Sequence, residues 1–279
     1  MIVREVLQRS ASWLRDKGFE SARLEAELLL AHLLGLDRVT LYTQADRPLD
    51  TGELERCREL LRRRAQGEPV AYLTGKREFY GLEFAVGPAV LVPRPETELL
   101  VDRARELRPA RILDVGTGSG CIAVACAVRL PEAEVTATDL SAPALEIARE
   151  NARRHGVAER VRFLEGDLFA PVAGERFDLV VSNPPYVADG DAAAVARHEP
   201  GSALFAGPRG LDVIARLLAA APEHLAPGGT LLLEIGEDQA DEVRALATGF
   251  GAVSVRPDLA GRPRVLEAAA PGPPHRAAS

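Results

Sequence analysis

Apolar positions in the first 75 residues recur at helical spacing. In VREVLQRSASWLRDKG, Val3, Val6, Leu7 and Leu14 share one face of a 3.6-residue period. SARLEAELLLAHLLGL repeats the pattern, with Ser21 placed to cap its start and Gly35 its end. DTGELERCRELLRRRAQG is a third amphipathic stretch, which Asp50 or Thr51 can cap. The pattern then shortens. KREFYGLEFAVGPAVLV, residues 76–92, breaks into brief apolar runs at Gly81 and at Gly87-Pro88, which predicts a hairpin connector. PRPETE at 93–98 follows, and ETELLVDRARELR resumes helical spacing.

From about residue 110 the period alternates between two and 3.6. ARILDV, EVTATD, RVRFLEG, FDLVVS and GTLLLEIG read as strands. SGCIAVACAVRL, SAPALEIARENARRHG, GLDVIARLLAAAPEHL and DQADEVRALA read as helices. Strands alternating with helices predict an α/β domain with a mainly parallel sheet covered on both faces. GAVSVRPD and PRVLEAAA add a final antiparallel pair, making seven strands. The expected organisation is a helical domain over 1–75, a hairpin linker over 76–95, an α/β domain over 96–270 and a disordered tail over 271–279. The tail, PGPPHRAAS, has too little apolar content to pack.

Composition narrows the function. The net charge of −7 argues against a protein that lives by gripping long nucleic acid, because such binding rests on neutralising phosphates. The first 75 residues carry 12 basic and 12 acidic side chains, so the excess acid lies further on. A neutral helical bundle without catalytic signatures suits a docking module, and Arg62-Arg63-Arg64 reads as a solvated helix face. No apolar run reaches the ~20 residues of a membrane span, and the start has no signal-peptide pattern. Cys57, Cys121 and Cys126 lack CxxC spacing, so neither a zinc site nor a disulfide framework is expected. These features predict a cytoplasmic protein.

Three strand ends carry candidate chemistry. LDVGTGSG, residues 113–120, leaves a strand and opens a helix. Its glycines, Gly116, Gly118 and Gly120, let backbone pass close under a ligand, with Thr117 and Ser119 between them and Asp114 just before. The next strand ends in Asp139, nineteen residues after Gly120, where a carboxylate can accept from both hydroxyls of a ribose. The third ends in GDLF, where Asp167 can accept from an adenine amino group and Leu168 can cover the ring. The order suits a nucleoside lying across the carboxyl ends of a parallel sheet. The glycine spacing differs from the G-x-G-x-x-G of dehydrogenases. As separate pieces, the loop is also a plain tight turn, Asp139 a helix-start residue and Gly166-Asp167 a turn pair.

The fourth strand ends in SNPPY, residues 182–186. A planar amino group is a poor nucleophile because its lone pair is delocalised. Two acceptors can grip its two N–H bonds and aim that lone pair. The Asn183 side-chain oxygen supplies one, and the Pro184 carbonyl, held by the locked φ of Pro184 and Pro185, supplies the other. Tyr186 can lie against the flat face of the target. Catalysis would be mostly alignment, with electrostatic help as the nitrogen turns positive.

The glycine loop with Asp139 and Asp167 resembles the class I S-adenosylmethionine-dependent methyltransferases. Asn-Pro-Pro-Tyr is similar to the signature of amino methyltransferases. REFYGLEFAV, LVPRPETE, DVGTGSG, SNPPYV, EPGSAL, LLLEIGEDQ and DLAGRPR together resemble one family, the release factor glutamine methyltransferases (HemK/PrmC), over about residues 2–268. That resemblance implies a Rossmann-like methyltransferase domain behind a helical N-terminal domain, and S-adenosylmethionine as cofactor with no metal. It implies methyl transfer to the glutamine of a Gly-Gly-Gln motif in peptide-chain release factors. The cofactor positions would fall on Gly116 to Gly120, Asp139, Leu168 and Asn183, with Asp114 near the cofactor's positive end. The glutamine-binding positions would fall on Asn183 to Tyr186. Some members carry an aromatic residue where this chain has Leu168, so weaker stacking is implied. The segment 187–210 could close over substrate. A monomer with a protein partner, no membrane and no nucleic-acid substrate is expected. Two other readings stay open: an amino methyltransferase of DNA or RNA, and a non-catalytic cofactor-binding assembly module.

Overall fold

The computed structural model describes residues 1–191 and 198–271. The predicted tail lies outside these residues apart from Pro271, as does part of the 187–210 segment. The chain divides into two compact units, Met1–Lys76 and Arg77 onward.

The first unit contains α1 (Val3–Asp16), α2 (Ala22–Leu34), α3 (Arg38–Thr43), α4 (Thr51–Ala65) and α5 (Val70–Thr74). Val3, Val6, Leu7 and Leu14 all enter its core, as the spacing predicts. Asp50 caps α4 in a reciprocal box: its carboxylate accepts from the Glu53 amide at 2.7 Å, and Glu53 accepts back from the Asp50 amide at 3.0 Å. Ser21 precedes α2, but its hydroxyl makes no capping bond. The two short helices α3 and α5 were not predicted. The signal for α3 was present: Asp37 accepts from the Thr40 amide at 2.7 Å.

The second unit opens with a two-stranded hairpin, β1 (Lys76–Phe79) and β2 (Leu82–Ala85), turned through Tyr80 and Gly81 at φ 54° and 70°. Two positive φ angles make a turn whose twist matches that of the strands. A 3-10 turn (Pro95–Thr97) leads into α6 (Glu98–Leu107). The sheet then contains β3 (Arg111–Val115), β4 (Glu134–Asp139), β5 (Val161–Glu165), β6 (Phe177–Ser182), β7 (Leu225–Glu234), β8 (Ala252–Pro257) and β9 (Pro263–Ala269). Its order is β5-β4-β3-β6-β7-β9-β8, parallel through β7, with β9 antiparallel to both β7 and β8. The helices between are α7 (Cys121–Arg129), α8 (Ala142–Arg154), α9 (Asp212–His224) and α10 (Ala240–Leu246).

Alternation along the strands feeds both faces. Ile112, Leu179, Val181 and Leu232 pack with α6, α7 and α8. Leu113, Val180, Leu231 and Leu233 pack with α9 and α10. Each fully buried leucine or valine contributes roughly 1.5–3 kcal/mol. After β3 the chain adds β4 and β5 on one side, then returns to place β6 on the other. That reversal opens a crevice at the carboxyl ends of β3 and β6.

Candidate functional site

The glycine loop is tied to the neighbouring strand. The Thr138 carbonyl accepts from the amides of Gly116 at 2.8 Å and Thr117 at 2.9 Å. Asp139 finishes the clasp: Oδ2 accepts from the Gly118 amide and Oδ1 from the Ser141 amide, both at 2.8 Å. Gly116, Gly118 and Gly120 sit at φ 73°, 55° and 78°, where a side chain is strained. A Cβ on Gly120 would also stand 3.0 Å from the Cβ of Ala148, so α7 and α8 meet only over glycine.

Asp114 lies behind this loop. It shares a strand face with Ile112, under α7, because strand side chains alternate. It is fully buried and accepts from Thr117 Oγ1 at 2.7 Å and from the Ala123 amide at 3.1 Å. Burial pushes its carboxyl up to about 7, against the lowering effect of those two bonds. It braces the loop.

In front of the loop is a cavity of about 420 Å³. Gly116, Thr117, Gly118 and Ser119 form one wall and Asp139 the next. Asp167 and Leu168 follow, then Asn183 and Pro185. Asp114, Gly120, Pro184 and Tyr186 are not wall residues. Asp167 is half exposed and paired with Arg216 of α9 through Oδ2. Leu168 is held at φ 48°, with its carbonyl accepting from Thr138 Oγ1 at 3.0 Å.

The end of β6 is pinned from several sides. Ser182 Oγ donates to the Val115 carbonyl at 2.6 Å, locking β6 to β3. Asn183 Nδ2 donates to Thr97 Oγ1 at 3.1 Å, and Thr97 Oγ1 donates to Glu234 Oε2 at 2.6 Å. The Asn183 Oδ1 atom is buried and has no hydrogen-bond partner among the described residues. Pro184 is buried. The Tyr186 hydroxyl donates to Glu234 Oε1 at 3.1 Å, and burial, with Glu234 beside it, raises its pKa. Gln239 Nε2 donates to the Tyr186 carbonyl at 3.0 Å.

Residues 5–75 match the PrmC N-terminal domain, and residues 95–199 match the methyltransferase small domain. The release factor glutamine methyltransferase of Geobacter sulfurreducens is 48% identical over 256 residues, covering 89% of each chain. The chain belongs to the release factor glutamine methyltransferase family. The Chlorobaculum tepidum enzyme of that name is 47% identical over 272 residues, covering 91% of this chain and 92% of its own. Among solved structures, a methyltransferase from Pyrococcus furiosus superposes with a TM-score of 0.54 at 24% identity, covering 70% of this chain and 91% of its own. That likeness establishes a methyltransferase fold for a release factor glutamine methyltransferase sequence.

Several site residues of this family member were not singled out from sequence. Thr97 lies within PRPETE and Glu234 within LLLEIGEDQ, two segments that carry the family resemblance. Glu234 had a signal of its own, a carboxylate closing an apolar strand. Arg216 and Leu140 line the cavity without any sequence signal. Glu199 of EPGSAL is buried, accepting from the Val92 amide at 2.9 Å and from Arg94, and so ties residues 198–206 to PRPETE.

Proposed function

We propose that the protein transfers a methyl group from S-adenosylmethionine to the side-chain amide nitrogen of the glutamine in the Gly-Gly-Gln motif of peptide-chain release factors. Family membership supports the reaction. One observation carries the site: Asn183 lines the same cavity as the glycine loop, with Nδ2 committed to Thr97 and Oδ1 without a partner among the described residues. A buried acceptor left open is what an incoming amide N–H requires.

The residues present fit the cofactor. The cavity volume falls within the ~300–1,000 Å³ of small-molecule sites. An ionised carboxylate offers about four acceptor directions. Asp139 uses two on Gly118 and Ser141, leaving two for ribose hydroxyls. Asp167 keeps Oδ1 for an adenine amino group, and Leu168 offers an apolar face beside it. Bound there, the cofactor supplies a methyl group already activated by a positive sulfur, so the transfer asks for no metal.

The chain's own part is alignment. Asn183 Oδ1 and the Pro184 carbonyl each accept one N–H of the target amide and direct its lone pair into the cavity. The cofactor would supply the methyl carbon and part from it as a neutral thioether, while the target nitrogen, held by Asn183 Oδ1 and the Pro184 carbonyl, would gain the carbon and give up a proton to solvent. Both acceptors tighten as positive charge develops on that nitrogen. Tyr186 holds the far end of the segment through Glu234. We assign residues 1–75 to docking of the release factor. Leu24, Leu28, Val39 and Tyr42 are exposed on that unit, which supports a protein contact. The reading includes a monomeric, cytoplasmic enzyme. The three cysteines are free and buried, which accords with a reducing compartment. No described helix is long and apolar enough to cross a membrane.

The test uses methyl-labelled S-adenosylmethionine with a release factor and its Gln→Ala variant at the motif. Label is expected on the parent factor only. Equal label on both would defeat the glutamine assignment, and label on duplex DNA would favour a base as substrate. Asn183→Ala is expected to abolish transfer while cofactor Kd stays within about tenfold, or 1.4 kcal/mol.

A further inference from the structure

An asparagine side chain presents its oxygen or its NH2 depending on which way the amide is turned, and the two orientations have nearly the same shape. A gripping site needs the oxygen forward. Nothing within Asn-Pro-Pro-Tyr selects that orientation. The selection comes from outside it.

Glu234 ends β7 and is 1% exposed. As an ionised carboxylate it only accepts. Two hydroxyls reach it: Thr97 Oγ1 at Oε2, 2.6 Å, and Tyr186 OH at Oε1, 3.1 Å. Each hydroxyl has one proton, and here each proton is committed to Glu234. Thr97 Oγ1 can then act only as an acceptor towards Asn183. The Asn183 amide answers by turning Nδ2 to Thr97 at 3.1 Å, which leaves Oδ1 facing away, without a partner among the described residues. If Thr97 could donate to Asn183 instead, the amide would flip. It would then present NH2 to the NH2 of the target, donor against donor.

We propose that Glu234 is a positioning residue that sets the donor–acceptor polarity of the site, acting on Asn183 through Thr97 and on Tyr186 directly. The inference rests on the glutamine-transfer reading and deepens it. It gives PRPETE a chemical task, since Thr97 is its fifth residue. It also explains a carboxylate at the buried end of an apolar strand. Burial raises the pKa of Glu234, while the bonds from Thr97 and Tyr186 and the nearby Arg264 of DLAGRPR act the other way. What the relay needs is an acceptor at Oε2, where the Thr97 hydroxyl donates.

The test measures single-turnover transfer to a release factor by the parent, Thr97→Val, Thr97→Ser and Glu234→Gln, with cofactor Kd by calorimetry and Tm for each. Valine keeps the shape of threonine and removes the hydroxyl. Thr97→Val is expected to slow transfer at least tenfold, with Kd within about threefold of the parent. Thr97→Ser restores the hydroxyl and is expected to recover transfer to within about fivefold of the parent. Glu234→Gln can donate as well as accept, so it is expected to slow transfer at least tenfold. Transfer by folded Thr97→Val or Glu234→Gln within twofold of the parent would overturn the relay. So would Thr97→Ser as slow as Thr97→Val. If valine prevents folding, the serine and glutamine variants decide it, because a serine variant slowed more than tenfold also defeats the relay. A parent that labels no release-factor glutamine defeats the functional reading itself, whereas a working parent matched by Thr97→Val defeats only the relay.

Discussion

Gly210→Ala tests whether the backbone of the Asn-Pro-Pro-Tyr segment is held as rigidly as its contacts indicate. Gly210 is buried at φ +67°, and a Cβ there would lie 2.1 Å from the Tyr186 carbonyl oxygen and 2.7 Å from its carbon. Both are backbone atoms, so no rotamer can relieve the contact. Real Cβ atoms do not approach within 3.0 Å, so Tyr186 must move by roughly 1 Å. The left-handed φ costs alanine about 1–2 kcal/mol. The shift also breaks the 3.0 Å bond from Gln239 Nε2 to Tyr186, worth about 1 kcal/mol net. Together these amount to about 2–3 kcal/mol, or a fall in Tm of roughly 4–12 °C for a unit of this size. A misplacement of ~1 Å beside the reacting atoms costs up to ~100-fold in rate. Calorimetry gives Tm, and single-turnover transfer gives the rate. Gly174→Ala is the control: its φ is +79°, but nothing lies within 4 Å of the added Cβ. The control loses Tm through backbone strain alone and keeps its transfer rate. If Gly210→Ala matches Gly174→Ala in both measurements, the segment yields freely and the packing argument is wrong.

Two further outcomes follow from the acids. Asp139→Ala is expected to raise cofactor Kd by about tenfold to hundredfold, the loss of one or more charge-assisted bonds, with the rate at saturating cofactor within about threefold; a Kd within twofold by calorimetry removes Asp139 from ribose binding. Asp114 is raised from 3.8 to about 7 chiefly by burial, so the folded state holds a proton that the unfolded chain has released. Stability should therefore fall as pH rises from about 4 to about 7 and level off above. Asp114→Asn should flatten that part of the profile in urea titrations, and an unchanged slope would show that Asp114 titrates normally.

The architecture was largely legible because its signals are local. The five parallel strands and the helices between them follow from a period that switches between two and 3.6, and all the predicted strands are present. Boundaries moved where long-range pairing intervened. β7 begins at Leu225, four residues before the run that reads as a strand, because Leu225 pairs with Phe177 ahead of a register shift. The helices α3 and α5, of six and five residues, are too short to show a period. In the site, the glycine loop and Asp139 were legible because each follows a strand end directly. Asp114 is expected near the cofactor's positive end from its strand position; alternation turns its side chain under α7, where it braces the loop from behind.

What sequence could not show is the polarity of the grip. The motif contributes Asn183, but the hydroxyl that orients it lies 86 residues upstream, and the carboxylate that orients the hydroxyl lies 137 residues beyond that. Only the parallel pairing of β6 with β7, with Ser182 opposite Leu233, brings Glu234 level with the motif. The same pairing lets one carboxylate accept from both Thr97 and Tyr186, whose motif lies 48 residues before it. An isolated Asn-Pro-Pro-Tyr corner would leave its amide free to turn either way. Placed beside a buried acceptor it has one low-energy orientation, and the sheet supplies that acceptor.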